Sequence, residues 1–209
     1  DNQFSGKGQL NNAWESEAYK NITLSVILYP HFLPIDKQFA LNQVVSLAVR
    51  QTVYDFYQDN VFIKWSNDIY IGYNKVAGIL IQNQIQGKNI HASVVGIGIN
   101  VNQKTFRQDI PNPVSISSIS KGFVDLPVVK DRLFRHLNRY YPLLKNEAYQ
   151  ELNEQYLEHL YLRNQVSRFR TSNDEELIGE ILGTDESGKL RILVGKEVQS
   201  FGFKEIEFL

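Results

Sequence analysis

Apolar and polar positions alternate over residues 22–28. Ile22, Leu24, Val26 and Leu28 are separated by Thr23, Ser25 and Ile27, and this period of two predicts a strand that ends at Pro30. The period then changes. Phe39, Leu41, Val45, Ala48, Thr52, Val53 and Phe56 fall near helical spacing, which predicts a helix with Asp36 as its N-cap and its end near Tyr57. Apolar runs rich in Val and Ile follow, interrupted by polar and glycine-bearing points. They predict a strand over 61–65, a bend at Asn67-Asp68, a continuation over 69–71, a turn over 72–75, a strand over 76–84, a hairpin loop over 86–89 and a returning strand over 90–99. Runs of this composition suit buried strands.

Residues 103–126 are expected to be irregular, with Pro111, Pro113 and one short helical turn in the serine-rich run 115–120. Pro127 fits the first turn of a helix. In that helix Val129, Leu133, Leu137 and Tyr141 stand four apart as one apolar stripe, and Pro142 is expected to kink or end it. A second helix over 147–161 carries Leu152, Tyr156 and Leu160. Beyond it the pattern changes to short β-like runs over 165–169, 177–182, 190–194, 198–203 and 206–208, with turn signals between them. Strands so spaced predict a small barrel, and they place a domain boundary near Leu162 that divides the chain into 1–162 and 163–209.

Composition narrows the classes. The chain has 209 residues, 43% hydrophobic and 22% charged, enough apolar content for a sizeable core and against a disordered chain. A net charge of −1 gives no bulk attraction to nucleic acid or to a membrane surface. With no cysteine, disulfides, thiolate metal sites and thiol nucleophiles are excluded, and a reducing, cytoplasmic setting is the expectation. No apolar run is long enough to span a bilayer as a helix. Methionine is absent even at position 1, and the chain opens directly on Asp1-Asn2-Gln3-Phe4-Ser5-Gly6, so the start of the domain is expected to be missing.

Four constellations carry chemistry. Gly6-Lys7-Gly8-Gln9 can turn tightly and offer backbone N–H groups and an ammonium to an anion; a surface loop with a solvated lysine reads as well, and the P-loop spacing is absent. Lys64-Trp65-Ser66-Asn67-Asp68 gathers a cation, an indole, an amide and a carboxylate at a strand end. There Lys64 would face phosphate and Asn67 or Asp68 would order the site, Asp68 being a candidate Mg²⁺ ligand; the plain alternative is a capped turn with Trp65 in the core. Lys75-Val76-Ala77-Gly78 sets a lysine at the rim of an apolar strand, with Gly78 admitting close approach; otherwise Lys75 simply guards that strand. Gly96-Ile97-Gly98-Ile99-Asn100 weakens a strand with two glycines, which either a ring lying on the backbone or a bulge would explain, and Asn100 suits a base edge. The histidines, His31, His91, His136 and His159, show no metal or catalytic-triad spacing.

Taken in order, these pieces resemble the biotin protein ligases, also called biotin–[acetyl-CoA-carboxylase] ligases. Gly6-Lys7-Gly8-Gln9 with Trp14 is similar to the family's GRGR…W, Lys64-Trp65-Ser66-Asn67-Asp68 to KWPND, Lys75-Val76-Ala77-Gly78-Ile79-Leu80 to K[LIV]AG[IV]L, and Gly96-Ile97-Gly98-Ile99-Asn100 to G[AI]G[IL]N. Lys7 and Gln9 stand in place of arginines, Ser66 in place of proline, and the family's upstream Ser/Thr-rich biotin contacts have no counterpart here. The resemblance implies an α+β fold: a mixed β-sheet flanked by helices, with a small C-terminal SH3-like β-barrel. It implies activation of biotin by ATP and Mg²⁺ to biotinyl-5′-AMP, then transfer to a lysine of a biotin carboxyl carrier protein. Catalysis would fall to Lys75 and Lys7. Biotin would be held by Gln3, Gly6, Lys7, Gly8, Gln9, Lys75 and Gly96, and ATP by Lys7, Gly8, Gln9, Trp14, Lys64, Asn67, Lys75, Gly98 and Asn100. A homodimer is a family feature; a DNA-binding module is not expected in these residues. A lipoate–protein ligase and a non-catalytic carrier-binding fragment are the alternatives.

Overall fold

In the computed structural model, residues 6–7 and 13–209 are described. The central sheet is built from β3 (Ile22–Leu28), β4 (Val61–Lys64), β5 (Asp68–Ile71), β6 (Asn74–Gln86) and β7 (Asn89–Ile99), in the order β3-β7-β6-β5-β4. Two short strands, β1 (Gly6–Lys7) and β2 (Ala13–Trp14), pair with each other beside it. The sheet differs from the expected mixed one in that every ladder within it is antiparallel. Parallel pairing is confined to single bridges such as Ile63 with Leu160. Hairpin connections between successive strands β4 to β7 leave no crossover that would make a parallel neighbour.

Helix α1 (Gln38–Tyr54) lies against β4, β5 and β6 and is covered in turn by α3 (Leu126–Lys145) and α4 (Tyr149–Glu158). Its Leu41, Val44, Val45, Leu47, Ala48 and Val49 are buried almost completely, as a helix enclosed on several sides requires. Asp36 is not its cap. It sits in a 3₁₀ turn, Ile35–Lys37, and Lys37 occupies the N-cap position without a side-chain bond. The short helical turn in the serine run is α2 (Ile116–Ser120).

In α3 the buried face is Val129, Leu133, His136, Tyr140 and Leu144, whereas Leu137 and Tyr141 are only partly buried. A strict spacing of four drifts off one face of a 3.6-residue helix, and alternating steps of three and four stay on it. Pro142 neither ends nor breaks the helix, which continues to Lys145. Only one turn follows the proline, so the lost hydrogen bond falls where a helix is already ending.

The C-terminal strands are β8 (Val166–Thr171), β9 (Glu176–Thr184), β10 (Leu190–Val194), β11 (Glu197–Phe201) and β12 (Ile206–Phe208), forming an antiparallel sheet in the order β11-β10-β9-β8-β12. The five strands expected for the small C-terminal β unit are all present; among the described residues no ladder joins β11 to β12. The unit docks on the core through several contacts. Trp65 Nε1 donates to the Gly188 carbonyl at 2.9 Å. Gly188 has φ +90°, and a Cβ there would stand 2.5 Å from Phe39 Cγ. The Trp65–Ser66 peptide bond is cis.

Candidate active site

Ladder register decides which side chains meet. Lys64 on β4 opposes Asp68 on β5, Asp68 opposes Gly78 on β6, Gly78 opposes Gly98 on β7, and Gly98 opposes Thr23 on β3. Directly opposed residues of an antiparallel sheet project to one face. Two residues along β7, Gly96 lies between Ser25 and Leu80. The result is a sheet face with charge toward β4 and β5, bare backbone in the middle and small hydroxyls on β3.

Trp14 covers the bare part. A Cβ on Gly98 would stand 2.6 Å from Trp14 Cζ2, and one on Gly78 3.1 Å from Cζ3. The ring expected to lie on the glycines is therefore the chain's own indole. Gly96 is different: among the described residues only Leu80 comes near it, at 3.5 Å. Neither Gly96 nor Gly98 marks a bulge; the ladder shifts farther along, between Gln84 and Ile85. Strand β1 pairs Gly6 with Trp14 and Lys7 with Ala13, which sets the backbone of Lys7 beside the indole-bearing strand. Gln3, Gly8 and Gln9 lie outside the described residues, as does the side chain of Lys7.

A cavity of about 1140 Å³ opens above this face. Its wall includes Trp14, Lys64, Asn67, Asp68, Lys75, Gly78, Gly96, Gly98 and Asn100, so every described residue singled out from the sequence, apart from Gly6 and Lys7, borders one space. Lys75 Nζ stands 2.8 Å from Asp68 Oδ1, as a charge contact outside hydrogen-bonding alignment, and 5.9 Å from the centre of the Trp14 ring. Lys64 Nζ donates to Tyr70 Oη at 3.2 Å and lies 4.8 Å from the Tyr70 ring and 4.9 Å from the Phe208 ring. Burial lowers the Lys64 pKa; Asp68 opposes the shift and Lys75 adds to it. Burial, then the Asp68 charge, raises that of the Tyr70 phenol, which keeps it protonated.

Asn67 turns to the backbone: its Nδ2 donates to the Ile79 carbonyl at 2.7 Å, and its own carbonyl accepts from Ile79 N–H at 2.9 Å. Asn100 is held by its backbone, its N–H donating to the Val76 carbonyl and its carbonyl accepting from Ile116. Its Oδ1 and the Trp14 Nε1–H are both buried without a partner among the described residues. An unsatisfied acceptor and an unsatisfied donor in one cavity wall are what a polar planar ligand would complete.

The cavity also has walls that the sequence patterns did not mark. Thr23 and Ser25 belong to it, and their signal, the polar half of an alternating strand, becomes readable only once β3 is known to pair with β7. Phe106 and Arg107 come from the irregular segment, which is tied down where Arg107 N–H donates to Glu15 Oε2 at 3.0 Å. Phe203, Lys204, Glu207 and Phe208 come from the C-terminal sheet. Asp68 fits the expectation of a metal ligand only in part. One of its oxygens is on Lys75, and no group of three or more His, Cys, Asp or Glu able to hold a metal occurs among the described residues. Mg²⁺ is commonly held by one or two carboxylates plus phosphate oxygens, and Asp68 meets that lower requirement.

Residues 1–100 match the model of the "Biotin/lipoate A/B protein ligase family". The "Bifunctional ligase/repressor BirA" of Bacillus spizizenii is 27% identical over 99% of this chain and 64% of its own length. The "Biotin--[acetyl-CoA-carboxylase] ligase" of Paracoccus denitrificans is 26% identical, covering 90% of this chain and 80% of its own. This chain thus spans less than two thirds of the length of the BirA relative. Among solved structures, the biotin protein ligase from Aquifex aeolicus in complex with biotin and ATP superposes with a TM-score of 0.81 at 21% identity, over 99% of this chain and 85% of that one. The four ordered motifs, the sheet face that gathers three of them, and these likenesses point one way: residues 1–100 match the biotin/lipoate A/B protein ligase family, and the chain is similar along most of its length to proteins named as biotin ligases.

Proposed function

We propose that this chain is the catalytic and C-terminal part of a biotin protein ligase, which activates biotin with ATP and passes it to a lysine of a biotin carboxyl carrier protein. The observation that carries the reading is the meeting of Lys75, Asp68, the Gly78–Gly98 floor and Trp14 in one cavity. The relatives named as biotin ligases support it.

In the first step a biotin carboxylate oxygen attacks the α-phosphorus of ATP and pyrophosphate leaves. Two anions must approach, and Lys75, at the edge of the glycine floor, offsets their repulsion and the charge that builds in the transition state. Asp68 orients the Lys75 ammonium from 2.8 Å. The acceptor's lysine amine then attacks the biotinyl carbonyl and AMP leaves. Trp14 and the segment tied by Glu15 to Arg107 screen the mixed anhydride from water in the interval. Mg²⁺, with Asp68 as its carboxylate ligand in the floor, would supply charge neutralisation on the pyrophosphate. Lys7 completes the anion site from the glycine loop, together with Gln3, Gly6, Gly8 and Gln9 on the biotin side. Trp14, Asn100, Gly98 and Lys64 belong to the nucleotide side; Asn67 contributes by holding β6.

The reading includes a cytoplasmic location and a division near Leu162. It also includes a homodimer through β3, whose outer edge lacks a ladder partner among the described residues. DNA binding is no part of it. The test is biotin-dependent pyrophosphate release, with lipoate as competitor. Lys75→Ala should lower the rate by about 10²-fold or more, with the fold unchanged by circular dichroism. Release driven by lipoate instead of biotin would overturn the substrate, and an unaffected Lys75→Ala would remove that residue from its role.

A further inference from the structure

His31 and His91, sixty residues apart in the chain, have ring centres 5.0 Å apart with their planes tilted by 45°. The fold thus brings side by side two imidazoles that the sequence keeps apart, although no group of three or more His, Cys, Asp or Glu able to hold a metal occurs among the described residues. Two features bring the rings together. On the β6–β7 ladder Gln84 opposes Ala92 while Ile85 opposes Ile90, so His91 is the extra residue of a bulge. A bulge turns a side chain away from the regular pleat. The segment after β3 is fixed onto the same hairpin end: Asn89 Nδ2 donates to the His31 carbonyl at 2.8 Å, Ile90 N–H to the Leu33 carbonyl at 3.0 Å, and Ile35 N–H to the Lys88 carbonyl at 3.0 Å. His31 is exposed and His91 half-buried, so the pair is open to solvent on one side.

We propose that His31 and His91 bind a divalent transition-metal ion of the imidazole-preferring kind, Zn²⁺, Ni²⁺ or Cu²⁺. Metal–nitrogen bonds of about 2.0–2.1 Å, on rings whose centres lie about 1.2 Å behind the nitrogen, put two ring centres roughly 4.5–5.2 Å apart for angles at the metal between square and tetrahedral. The observed 5.0 Å falls inside that interval. The two imidazoles fill two positions and water fills the others. A hard ion such as Mg²⁺ has no claim on the site, because it takes oxygen ligands. The site lies outside the cavity, whose wall on β7 begins at Val94, and from Ala92 to the glycine floor at Gly98 is about 20 Å at strand rise. It neither rests on the ligase reading nor shares a residue with it.

The test is calorimetric titration of the untagged chain with NiCl₂ and with ZnCl₂, repeated on His31→Asn and His91→Asn. Both substitutions lie at the surface end of the sheet, and their melting profiles without metal are compared with the parent's. The expected result is saturable binding of about one ion per chain, weakened at least tenfold or so in each variant, with MgCl₂ giving the same heats on the parent and on both variants. A rise in melting temperature with ZnCl₂ should appear in the parent and vanish in both variants. No saturable binding by the parent, or binding of unchanged strength in either variant, would overturn the site.

Discussion

Gly98 leaves no room for a methyl group. Its place in the ladder points any side chain at the Trp14 ring, 2.6 Å from Cζ2 and 2.8 Å from Nε1. Gly98→Ala must push the indole off the floor, so biotin-dependent pyrophosphate release should fall at least tenfold or so, while the urea midpoint moves little. Gly96→Ala serves as the comparison, because Leu80 is its only close neighbour among the described residues and at ordinary contact distance. Asp55 makes the case for charge. Burial works to raise its pKa, but hydrogen bonds from His136 at 2.9 Å and Arg132 at 3.0 Å outweigh this and hold it below 3.8. A carboxyl depressed in the folded state stabilises the fold above its unfolded pKa, and the contribution is lost as pH falls through the lower, folded value. The stability advantage of the parent over Asp55→Asn, on the order of 1 kcal/mol at neutral pH, should therefore shrink in urea titrations carried below pH 4.

At the scale of elements, the segment from Ala13 to Asn21 works as a cover over the sheet, rooted on Val101 and Gln103. Glu17 N–H donates to Gln103 Oε1 at 2.9 Å, Asn21 Nδ2 to the same oxygen at 2.6 Å, and Val101 N–H to Asn21 Oδ1 at 3.0 Å. These bonds hold the root of the cover while β1 and β2 carry Trp14 over the glycines. The chain contains two tryptophans, and Trp65 is buried and bonded to Gly188. Both border the cavity, but Trp65 is fixed in the core, so ligand-induced changes in emission should come mainly from Trp14. Adding ATP with biotin should shift or quench the tryptophan emission of the parent and change that of Trp14→Phe much less; an equal response in the variant would mean that Trp14 does not meet the ligand.

Across the whole molecule, the C-terminal sheet closes the cavity rather than trailing from it. Phe208 lies over Lys64, and Phe203, Lys204 and Glu207 complete the wall. The docking is apolar and buried near Trp65, whereas the Lys37–Glu186 pair between the two parts is exposed on the Glu186 side and adds little. Trp65→Phe keeps an aromatic ring and leaves the Gly188 carbonyl without its donor. It should lower stability by about 1 kcal/mol and also weaken nucleotide binding, since the same contact positions the wall. A loss of stability with binding intact would show that the C-terminal sheet holds the fold alone.

Local periodicity and turn chemistry determined where most elements lie: the strands at 22–28 and 206–208, the hairpin of β6 and β7 and the glycine positions are all readable because each depends on near neighbours in the chain. The chemistry-bearing points of the site were readable for the same reason, as compact motifs. Register and closure were not. Thr23 facing Gly98, Phe208 over Lys64, His31 beside His91 and Trp14 lying where a ligand ring was expected all depend on contacts between residues distant in sequence, and no local pattern carries those. The all-antiparallel pairing of the central sheet belongs to the same class, since pairing direction is settled by which edges meet. The sequence alone thus determined which residues are candidates for the site, and the tertiary structure decided which of them touch: Lys75 has Asp68 as its partner, whereas Lys64 is held between the rings of Tyr70 and Phe208.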